Sequence, residues 1–242
     1  MFKKYWKFFV IFWSVVLVGI IGVFVFFWLI SAGKLGFMPT FEELENPNNR
    51  FASEVYFADG PIMNRYFEKE NRKYIEYREI PQSVIDALIA TEDVRFYDHS
   101  GVDVRGLFRV AKGLLTANTS AGGGSTISQQ LAKMLFPRES DLNVFELAIR
   151  KFREWVIAVR LEKSYTKEEI LTMYLNKYDF LNLAVGISSA ADIYFQVPLD
   201  SLKVEQAAML IGMAKNSSYY NPVRRPELTL NRRNVVLSQM YK

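Results

Sequence analysis

The chain has 242 residues, half of them hydrophobic, and no cysteine. This length holds one ordinary globular domain and an accessory segment, and the lack of cysteine excludes disulfides and thiolate metal sites. The formal net charge is +4, but without Lys3, Lys4 and Lys7 the chain has 27 basic against 26 acidic residues. This balance argues against a broad polyanion-binding surface, so no nucleic-acid partner is predicted.

The first predicted element is a membrane span. Residues 8–30 carry no charge and are long enough to cross a bilayer as a helix. The three lysines before them predict a cytoplasmic tail at residues 1–7 and an extracytoplasmic location for the rest of the chain. A cleavable signal peptide is the alternative, because Ser31, Ala32 and Gly33 are small, but the apolar run is longer than a usual signal core.

The region after the span combines turn-forming and strand-like patterns. Residues 31–50 contain glycine, proline and acidic residues and are predicted to be a linker. Around Asp59-Gly60-Pro61, residues 54–57 are predicted to pair with residues 64–67 in a short hairpin. No other sheet is predicted.

From Pro81 onward the pattern is helical. Pro81 suits a first helical position, and the apolar spacing that follows predicts a helix that ends near Asp93 or Val94. Thr166 and Glu169 form a predicted capping box. Because strands and helices do not alternate, the fold is predicted to be mainly α and not a doubly wound sheet. The other predicted helices cover residues 103–115, 126–135, 143–161, 166–176, 183–194, 201–214 and 226–240.

A glycine run at residues 122–124 leads into a helix with many polar side chains. Glycines let a ligand approach the backbone closely, and Ser125 or Thr126 can cap the helix. Gln129 and Lys133 are four residues apart and share a helix face. A phosphate-binding loop of the nucleotide type is not supported, because the lysine does not directly follow the last glycine and no strand precedes the run.

Four ordered blocks of sequence carry a family resemblance. They are EDVRFYDHSG at residues 92–101, GGGSTISQQLAK at 122–133, RKFRE at 150–154 and EILTMYLN at 169–176. They resemble the signature motifs of the peptidoglycan glycosyltransferases, membrane enzymes that polymerise lipid II in class A penicillin-binding proteins and their monofunctional relatives. The resemblance covers roughly residues 80–240. It implies that residues 51–242 form a lysozyme-like helical domain with a smaller membrane-associated lobe.

The resemblance implies two catalytic carboxylates. Glu92 matches the general base that deprotonates the acceptor sugar hydroxyl, although spacing alone would favour a solvated acid at a helix end. Glu154 matches a second essential carboxylate, which steadies the leaving group through a cation or through neighbouring basic residues. A surface ion pair between Arg150 and Glu154 is the alternative for that position.

The same motifs supply the predicted binding and supporting residues. In the related enzymes Lys133 and Arg150 lie near the diphosphate, where fixed cations stabilise the developing negative charge. The full set of predicted substrate-binding residues is Ser125, Thr126, Gln129, Gln130, Lys133, Arg150 and Lys151. Gln129 and Gln130 are predicted to hydrogen-bond the sugar or the phosphate, and a structural role for one of them is the alternative. The predicted supporting residues are Asp93, Phe96, His99 and Gly101: Asp93 to organise the turn, Phe96 to pack under Glu92, and Gly101 to permit a bend.

No cofactor is predicted to be required. His99 is the single histidine, and we expect it to be a structural hydrogen bonder. A zinc site built from carboxylates alone would be poor chemistry, so no metal ligand is assigned. A divalent cation, magnesium or manganese, bound through the substrate diphosphate is left open.

The implied function is polymerisation of lipid II into glycan strands at the bacterial cytoplasmic membrane, by inverting glycosyl transfer with release of undecaprenyl diphosphate. The implied partners are lipid II, the growing glycan strand, the membrane and cell wall synthesis proteins. In class A proteins the segment that matches residues 232–240 passes into a linker and a transpeptidase domain, and whether one follows here is left open. A lysozyme-like lytic enzyme and an inactive membrane scaffold are the alternatives.

Two departures and one apolar surface complete the sequence reading. Met134 stands where the family usually has asparagine, and residues 177–182 replace an aromatic-glycine segment. Apolar residues flank the glycine run, and packing in the core or contact with lipid would explain them equally well. They are Phe108, Val110, Leu114, Leu115, Met134, Leu135, Phe136 and Pro137.

Overall fold

The structure is a computed structural model that describes residues 2–40, 53–56, 62–66, 71–116, 123–135 and 143–242. These ranges are mainly helical, as predicted. The helices are α1 Phe2–Ser31, α2 Gln82–Glu92, α3 Val104–Leu115, α4 Ile127–Leu135, α5 Val144–Ser164, α6 Lys167–Lys177, α7 Ile187–Phe195, α8 Val204–Ala214 and α9 Pro226–Met240. The strands are β1 Ser53–Tyr56, β2 Ile62–Tyr66, β3 Asn71–Arg72 and β4 Ala184–Val185.

Helix α2 lies in the core of the domain. Its apolar face, which includes Val84, Ile85 and Leu88, is buried. α2 packs against α8 and α9, while α4 packs between α5 and α6. α2 ends at Glu92. This packing therefore places the Glu92 carboxylate at the edge of the core.

Helix α1 is long and apolar enough to cross a membrane by length and composition. It extends beyond the predicted span of residues 8–30 at both ends. Its last turns dock on α5, where the rings of Phe26 and Phe152 lie 5.4 Å apart in an edge-on contact. Arg160 of α5 donates a hydrogen bond of 2.8 Å to the carbonyl of Ser31. The end of α1 is therefore attached to the folded domain by apolar and polar contacts.

The predicted hairpin is confirmed in the part of the chain that the structure describes. β1 and β2 pair antiparallel, with Glu54 opposite Arg65 and Val55 opposite Asn64. Its predicted ends at residues 57 and 67 lie outside the described residues. The prediction that this is the only sheet is wrong, because β3 pairs with β4 in a parallel arrangement. Strands of two residues are too short to leave an alternating pattern in the sequence.

Beyond the β3–β4 pairing, side-chain hydrogen bonds join the segment after β3 to α6. The amide of Asn176 on α6 accepts from the Ile75 N–H at 3.0 Å and donates to the Ile75 carbonyl at 2.9 Å. The Asn176 side chain thus hydrogen-bonds to both polar groups of the buried Ile75 backbone, as a neighbouring strand would. The segment that leads into α2 is thereby fixed to α6.

Helix boundaries differ from the predictions where turns intervene. Pro81 precedes α2 as its N-cap residue instead of occupying its first position. α7 begins at Ile187 and not at residue 183, because residues 181–183 and Gly186 have positive φ angles that a helix does not allow. α8 begins after a short 3-10 turn at Leu199–Ser201. The capping box of Thr166 and Glu169 is confirmed.

Candidate active site

A cleft of ≈ 510 Å³ opens beside the C-terminal end of α2. Its walls are the end of α2, one face of α3 and the glycine loop before α4. The charged residues of its lining are Glu92, Asp93, Arg95, Asp103, Arg109 and Lys112. Acidic and basic groups therefore face the same space.

The Glu92 carboxylate is held from two sides. Its Oε2 accepts a hydrogen bond of 3.0 Å from the side-chain amide of Gln130 on α4. Its Oε1 accepts one of 3.2 Å from the guanidinium of Arg232 on α9. The side chain is 13% exposed. Glu92 therefore lies at the edge of the cleft, largely buried and held in one orientation, and is not the solvated acid that spacing alone would favour.

Gln130 is oriented by a tyrosine behind it. The hydroxyl of Tyr174 on α6 donates to Oε1 of Gln130 at 3.0 Å. Burial raises the pKa of Tyr174 well above its usual value, and the negative charge of Glu92 acts in the same direction. The phenol is therefore protonated at neutral pH and available as a donor.

Asp93 organises the turn after α2, as predicted. Its Oδ2 accepts from the backbone N–H of Ile127 at 3.0 Å, at the start of α4. Both of its carboxylate oxygens lie 3.0 Å from Nε2 of His99. His99 is thus a structural hydrogen bonder, which confirms that prediction. A carboxylate at a helix N-terminus also meets the positive end of the helix dipole.

The turn then crosses α5 closely at Gly101. This residue has φ +94°, and a Cβ there would lie 2.7 Å from the backbone of Ala158. The predicted bend at Gly101 is therefore confirmed, and both the backbone angle and the contact demand glycine. Its carbonyl accepts from the Thr126 hydroxyl at 2.7 Å, which joins the first motif to the glycine loop.

Thr126 caps α4 and Gln129 lies in the interior. The Thr126 hydroxyl accepts from the N–H of Gln129 at 3.2 Å. The Gln129 side chain donates to the Gly101 carbonyl at 3.4 Å, and the residue is 1% exposed. The Gln129 amide is enclosed in the fold, which agrees with the alternative that one of the two glutamines has a structural role. Thr126 also lines the cleft, so its contact with substrate stays a prediction.

Phe96 packs in a polar cluster behind the cleft. Its ring is fully buried, and the ammonium of Lys167 lies 4.3 Å from the ring centroid. Lys167 also donates to the His99 carbonyl at 2.6 Å and to Glu162 at 2.9 Å. Phe96 therefore supports the turn through His99 and Lys167, and its packing under Glu92 stays a prediction.

Glu154 lies on α5, on the side of the glycine loop. Lys151 bridges the two, since its ammonium donates to Glu154 at 2.9 Å and to the Ser125 hydroxyl at 2.9 Å. The Glu154 side chain is 11% exposed. The predicted alternative of a pair with Arg150 is not what the structure describes, because Glu154 pairs with Lys151. Arg150 is partly buried on the same helix, and Lys133 is exposed on α4.

The Arg95–Asp103 ion pair borders the cleft on the α3 side. Burial would raise the pKa of Asp103, but hydrogen bonds from Arg95 and from the Gly106 N–H outweigh it and hold this pKa below its ordinary value. Asp103 accepts from the Gly106 N–H at 3.0 Å near the start of α3. The pair therefore fixes the first turn of α3 against the motif at the end of α2.

Among the described residues, no group of three or more His, Cys, Asp or Glu side chains could hold a metal ion. A divalent cation bound through the substrate diphosphate stays a prediction.

The apolar residues that flank the glycine run lie in different environments. Leu135 and Met134 pack against the core, while Phe108 is 72% exposed. Phe136 and Pro137 lie outside the described residues.

The sequence reading missed several residues of the site. Arg232 hydrogen-bonds to Glu92 although the two residues are 140 positions apart in the sequence. Tyr174 lies within the fourth motif, but the motif does not indicate its hydrogen bond to Gln130. Arg95, Arg109 and Lys112 add positive charge to the cleft. On α3 the spacing of Arg105, Arg109 and Lys112 gives a polar stripe that could have drawn attention to this wall.

Comparison with known proteins decides the family. The transglycosylase family matches residues 59–241, a range that includes every residue of the site described above. The chain belongs to this family. The transglycosylases are the peptidoglycan glycosyltransferases, enzymes of cell wall synthesis, so the resemblance carried by the four motifs is confirmed.

The relatives of this transglycosylase include large penicillin-binding proteins. Penicillin-binding protein 1A of Escherichia coli strain K12 is 38% identical over 203 residues, 84% of this chain and 23% of that protein. Penicillin-binding protein 1A of Pseudomonas aeruginosa is 38% identical over 205 residues, 85% of this chain and 24% of that protein. The chain thus spans about a quarter of the length of these curated relatives. The crystal structure of Haemophilus influenzae penicillin-binding protein 1A aligns with 80% of this chain and 18% of its own, at a TM-score of 0.41 and 22% identity.

Proposed function

We propose that this transglycosylase domain polymerises lipid II into glycan strands, with Glu92 as the general base. The observation that carries the proposal is the hydrogen bonding of Glu92. Both Gln130 and Arg232 donate to it, at 3.0 and 3.2 Å, so the carboxylate is presented to the cleft as a proton acceptor. Its position at the end of a buried helix limits reorganisation during proton transfer.

The proposed reaction is an inverting displacement. The acceptor sugar hydroxyl transfers its proton to Glu92 while its oxygen forms a bond to the anomeric carbon of the donor. The bond from that carbon to the diphosphate oxygen breaks, and undecaprenyl diphosphate leaves with the electron pair. Attack from the face opposite the leaving group inverts the configuration.

The leaving diphosphate requires positive charge on the far side of the cleft. Lys151 places an ammonium between the glycine loop and Glu154, and Lys133 and Arg150 are the further cations of the same motifs. Fixed cations lower the barrier when charge develops on a leaving group. In this proposal Glu154 orients Lys151, which matches the alternative of action through neighbouring basic residues.

A bacterial cytoplasmic membrane location follows from the first helix. The lysines before the apolar run favour a cytoplasmic N-terminus, and the docking of α1 on α5 brings the folded domain close to the bilayer surface. A substrate whose lipid stays in the membrane needs that proximity. We include the membrane, the growing glycan strand, a transpeptidase domain and other cell wall synthesis proteins among the proposed partners.

A lytic enzyme that cleaves the same glycan is the second candidate. A general acid must carry a proton and give it to the leaving oxygen. The ammonium of Lys151 beside Glu154 instead favours an anionic diphosphate donor, and this favours synthesis over lysis.

The test compares Glu92→Gln with Asp86→Asn, an exposed position on the same helix. Both variants and the parent chain are incubated in detergent with lipid II, or with finished peptidoglycan, and the products are separated by size. We expect the parent and Asp86→Asn to form polymer from lipid II and Glu92→Gln to form none. Full polymerisation by Glu92→Gln, or release of fragments from peptidoglycan by the parent, would contradict the proposal.

A further inference from the structure

Behind Glu92 lies a chain of hydrogen bonds whose far end, at Tyr174, has no part in the reaction as proposed. It runs from the Tyr174 hydroxyl to Oε1 of Gln130 and from Nε2 of Gln130 to Oε2 of Glu92, each step 3.0 Å long. Tyr174 is fully buried. An amide has one accepting and one donating end, so the direction of every bond in this chain is coupled to the others.

The direction depends on the state of Glu92. A carboxylate only accepts, so Gln130 must turn its NH₂ toward Glu92 and its carbonyl toward Tyr174, which then donates. Once Glu92 has taken a proton, it has an O–H to donate. If the Gln130 amide rotates by half a turn, its carbonyl accepts from Glu92 and its NH₂ donates to the Tyr174 oxygen.

Tyr174 can serve in both arrangements because a phenol hydroxyl both donates and accepts. Since buried polar groups are costly to leave without partners, this capacity keeps the amide paired before and after proton transfer. A phenylalanine ring would fill the same space and could serve in neither arrangement. The neighbouring Tyr178 stacks on Tyr174 with ring centroids 5.8 Å apart, but its hydroxyl donates to carbonyls of residues 213 and 214.

We propose that Tyr174 is a positioning residue that acts on Glu92 through the Gln130 amide and keeps that amide hydrogen-bonded in both protonation states of the base. The inference rests on the proposed function of Glu92. The effect of Tyr174 on turnover passes through the Gln130 side chain alone. This effect is separable from the contribution of Tyr174 to stability.

The experiment is a double-mutant cycle in the full chain with lipid II as substrate. The variants are Tyr174→Phe, Gln130→Met and the double variant, with Tyr178→Phe as the matched control. Tyr178→Phe also removes a hydroxyl from the stacked pair but leaves the chain of hydrogen bonds to Glu92 intact. The turnover number kcat, KM for lipid II and the melting temperature are measured for each.

We expect Tyr174→Phe to lower kcat about 3- to 10-fold and Gln130→Met about 10- to 100-fold, the ranges for neutral and charge-assisted hydrogen bonds. For Tyr174→Phe, KM should stay within about twofold, because the buried Tyr174 side chain does not line the cleft. The double variant should have the kcat of Gln130→Met alone, since Tyr174 acts only through Gln130. Its melting temperature should recover relative to Gln130→Met, because no buried hydroxyl is left without a partner.

The inference is overturned if Tyr174→Phe leaves kcat unchanged, or if its effect on kcat multiplies with that of Gln130→Met. It is also overturned if Tyr178→Phe lowers kcat as much as Tyr174→Phe does, since a general effect of packing would then explain both. Glu92→Gln separates this failure from failure of the proposed function. If Glu92→Gln is inactive while Tyr174→Phe is fully active, only the inference fails; if Glu92→Gln is active, both fail.

Discussion

The guanidinium of Arg232 donates to Oε1 of Glu92, and this contact joins α9 to the end of α2. Both side chains are largely buried, at 11% and 13% exposure. The aliphatic part of the Arg232 side chain passes close to Gly212 of α8. A Cβ at Gly212 would lie 3.1 Å from Cγ of Arg232. The last helix of the chain therefore holds the proposed catalytic carboxylate.

We expect Arg232→Gln to lower polymerisation at least about tenfold, because a buried carboxylate loses a charge-assisted hydrogen bond. It should also lower the melting temperature, since breaking a buried pair leaves a charge without its partner. Arg233→Gln on the same helix is the control, because Arg233 hydrogen-bonds to its neighbour Asn234. Equal activity of the two variants would contradict the role assigned to Arg232.

Lys151→Gln should also impair polymerisation by about tenfold or more. The change removes the ammonium that joins Ser125 of the glycine loop to Glu154, together with a cation for the leaving diphosphate. Lys163→Gln is the control on the same helix, where the residue is exposed. Initial rates with lipid II measure the difference, and a Lys151→Gln variant as active as Lys163→Gln would argue against this bridge.

Gly101→Ala should destabilise the fold by about 3 kcal/mol or more, the range for forced backbone strain combined with overpacking. The new methyl group would meet the Ala158 backbone, and alanine disfavours φ +94°. Gly123→Ala is the control, because a Cβ there meets nothing within 4 Å. Urea unfolding in detergent measures both variants, and a Gly101→Ala midpoint equal to that of the parent would refute the expectation.

The Arg95–Asp103 pair should make stability depend on acid pH. Because hydrogen bonds hold the folded-state pKa of Asp103 below its ordinary 3.8, the pair contributes stability above that pH, and the contribution is lost as the pH falls through the folded-state value. Asp103→Asn should therefore be less stable than the parent at pH 7, and the difference should shrink below about pH 4. Urea unfolding at several pH values measures it, and a difference that stays constant down to pH 3 would contradict the prediction.

The N-terminal end of α5 should lie in the bilayer interface. α5 contacts α1 at Arg160 beside Ser31 and at Phe152 beside Phe26. Continuing α5 from Arg160 past Phe152 therefore leads back along α1 toward the membrane. At that end Phe145 is 71% exposed, and exposed apolar side chains at a membrane surface gain from burial in it.

Fluorescent labelling tests this placement, since the chain has no cysteine of its own. Phe145→Cys is labelled in the full chain, reconstituted in bilayers and exposed to quenchers carried on lipid tails. Leu230→Cys on α9 is the control, at a position that is 46% exposed. We expect quenching at position 145 and little at 230; equal quenching at both would show that the placement is wrong.

The sequence predicted the local elements of this protein and its family. Apolar periodicity located α2 and α8, the capping box marked the start of α6, and an uncharged run of residues revealed α1. These signals arise from interactions within a few residues, which is why they can be read in one dimension. The four motifs indicated Glu92 and Glu154 as candidates for the same reason, since each motif is a short continuous segment.

The tertiary structure decided which side chains meet. The β3–β4 pairing, the contact of Arg232 with Glu92 and the bond from Tyr174 to Gln130 each join segments far apart in the chain, so no local pattern records them. Packing also decided between two neighbouring glutamines: the Gln129 side chain is enclosed beside Gly101, whereas the Gln130 side chain hydrogen-bonds to Glu92. On a helix, successive side chains differ in direction by about 100°, and only the surrounding helices determine which direction is the core and which is the cleft.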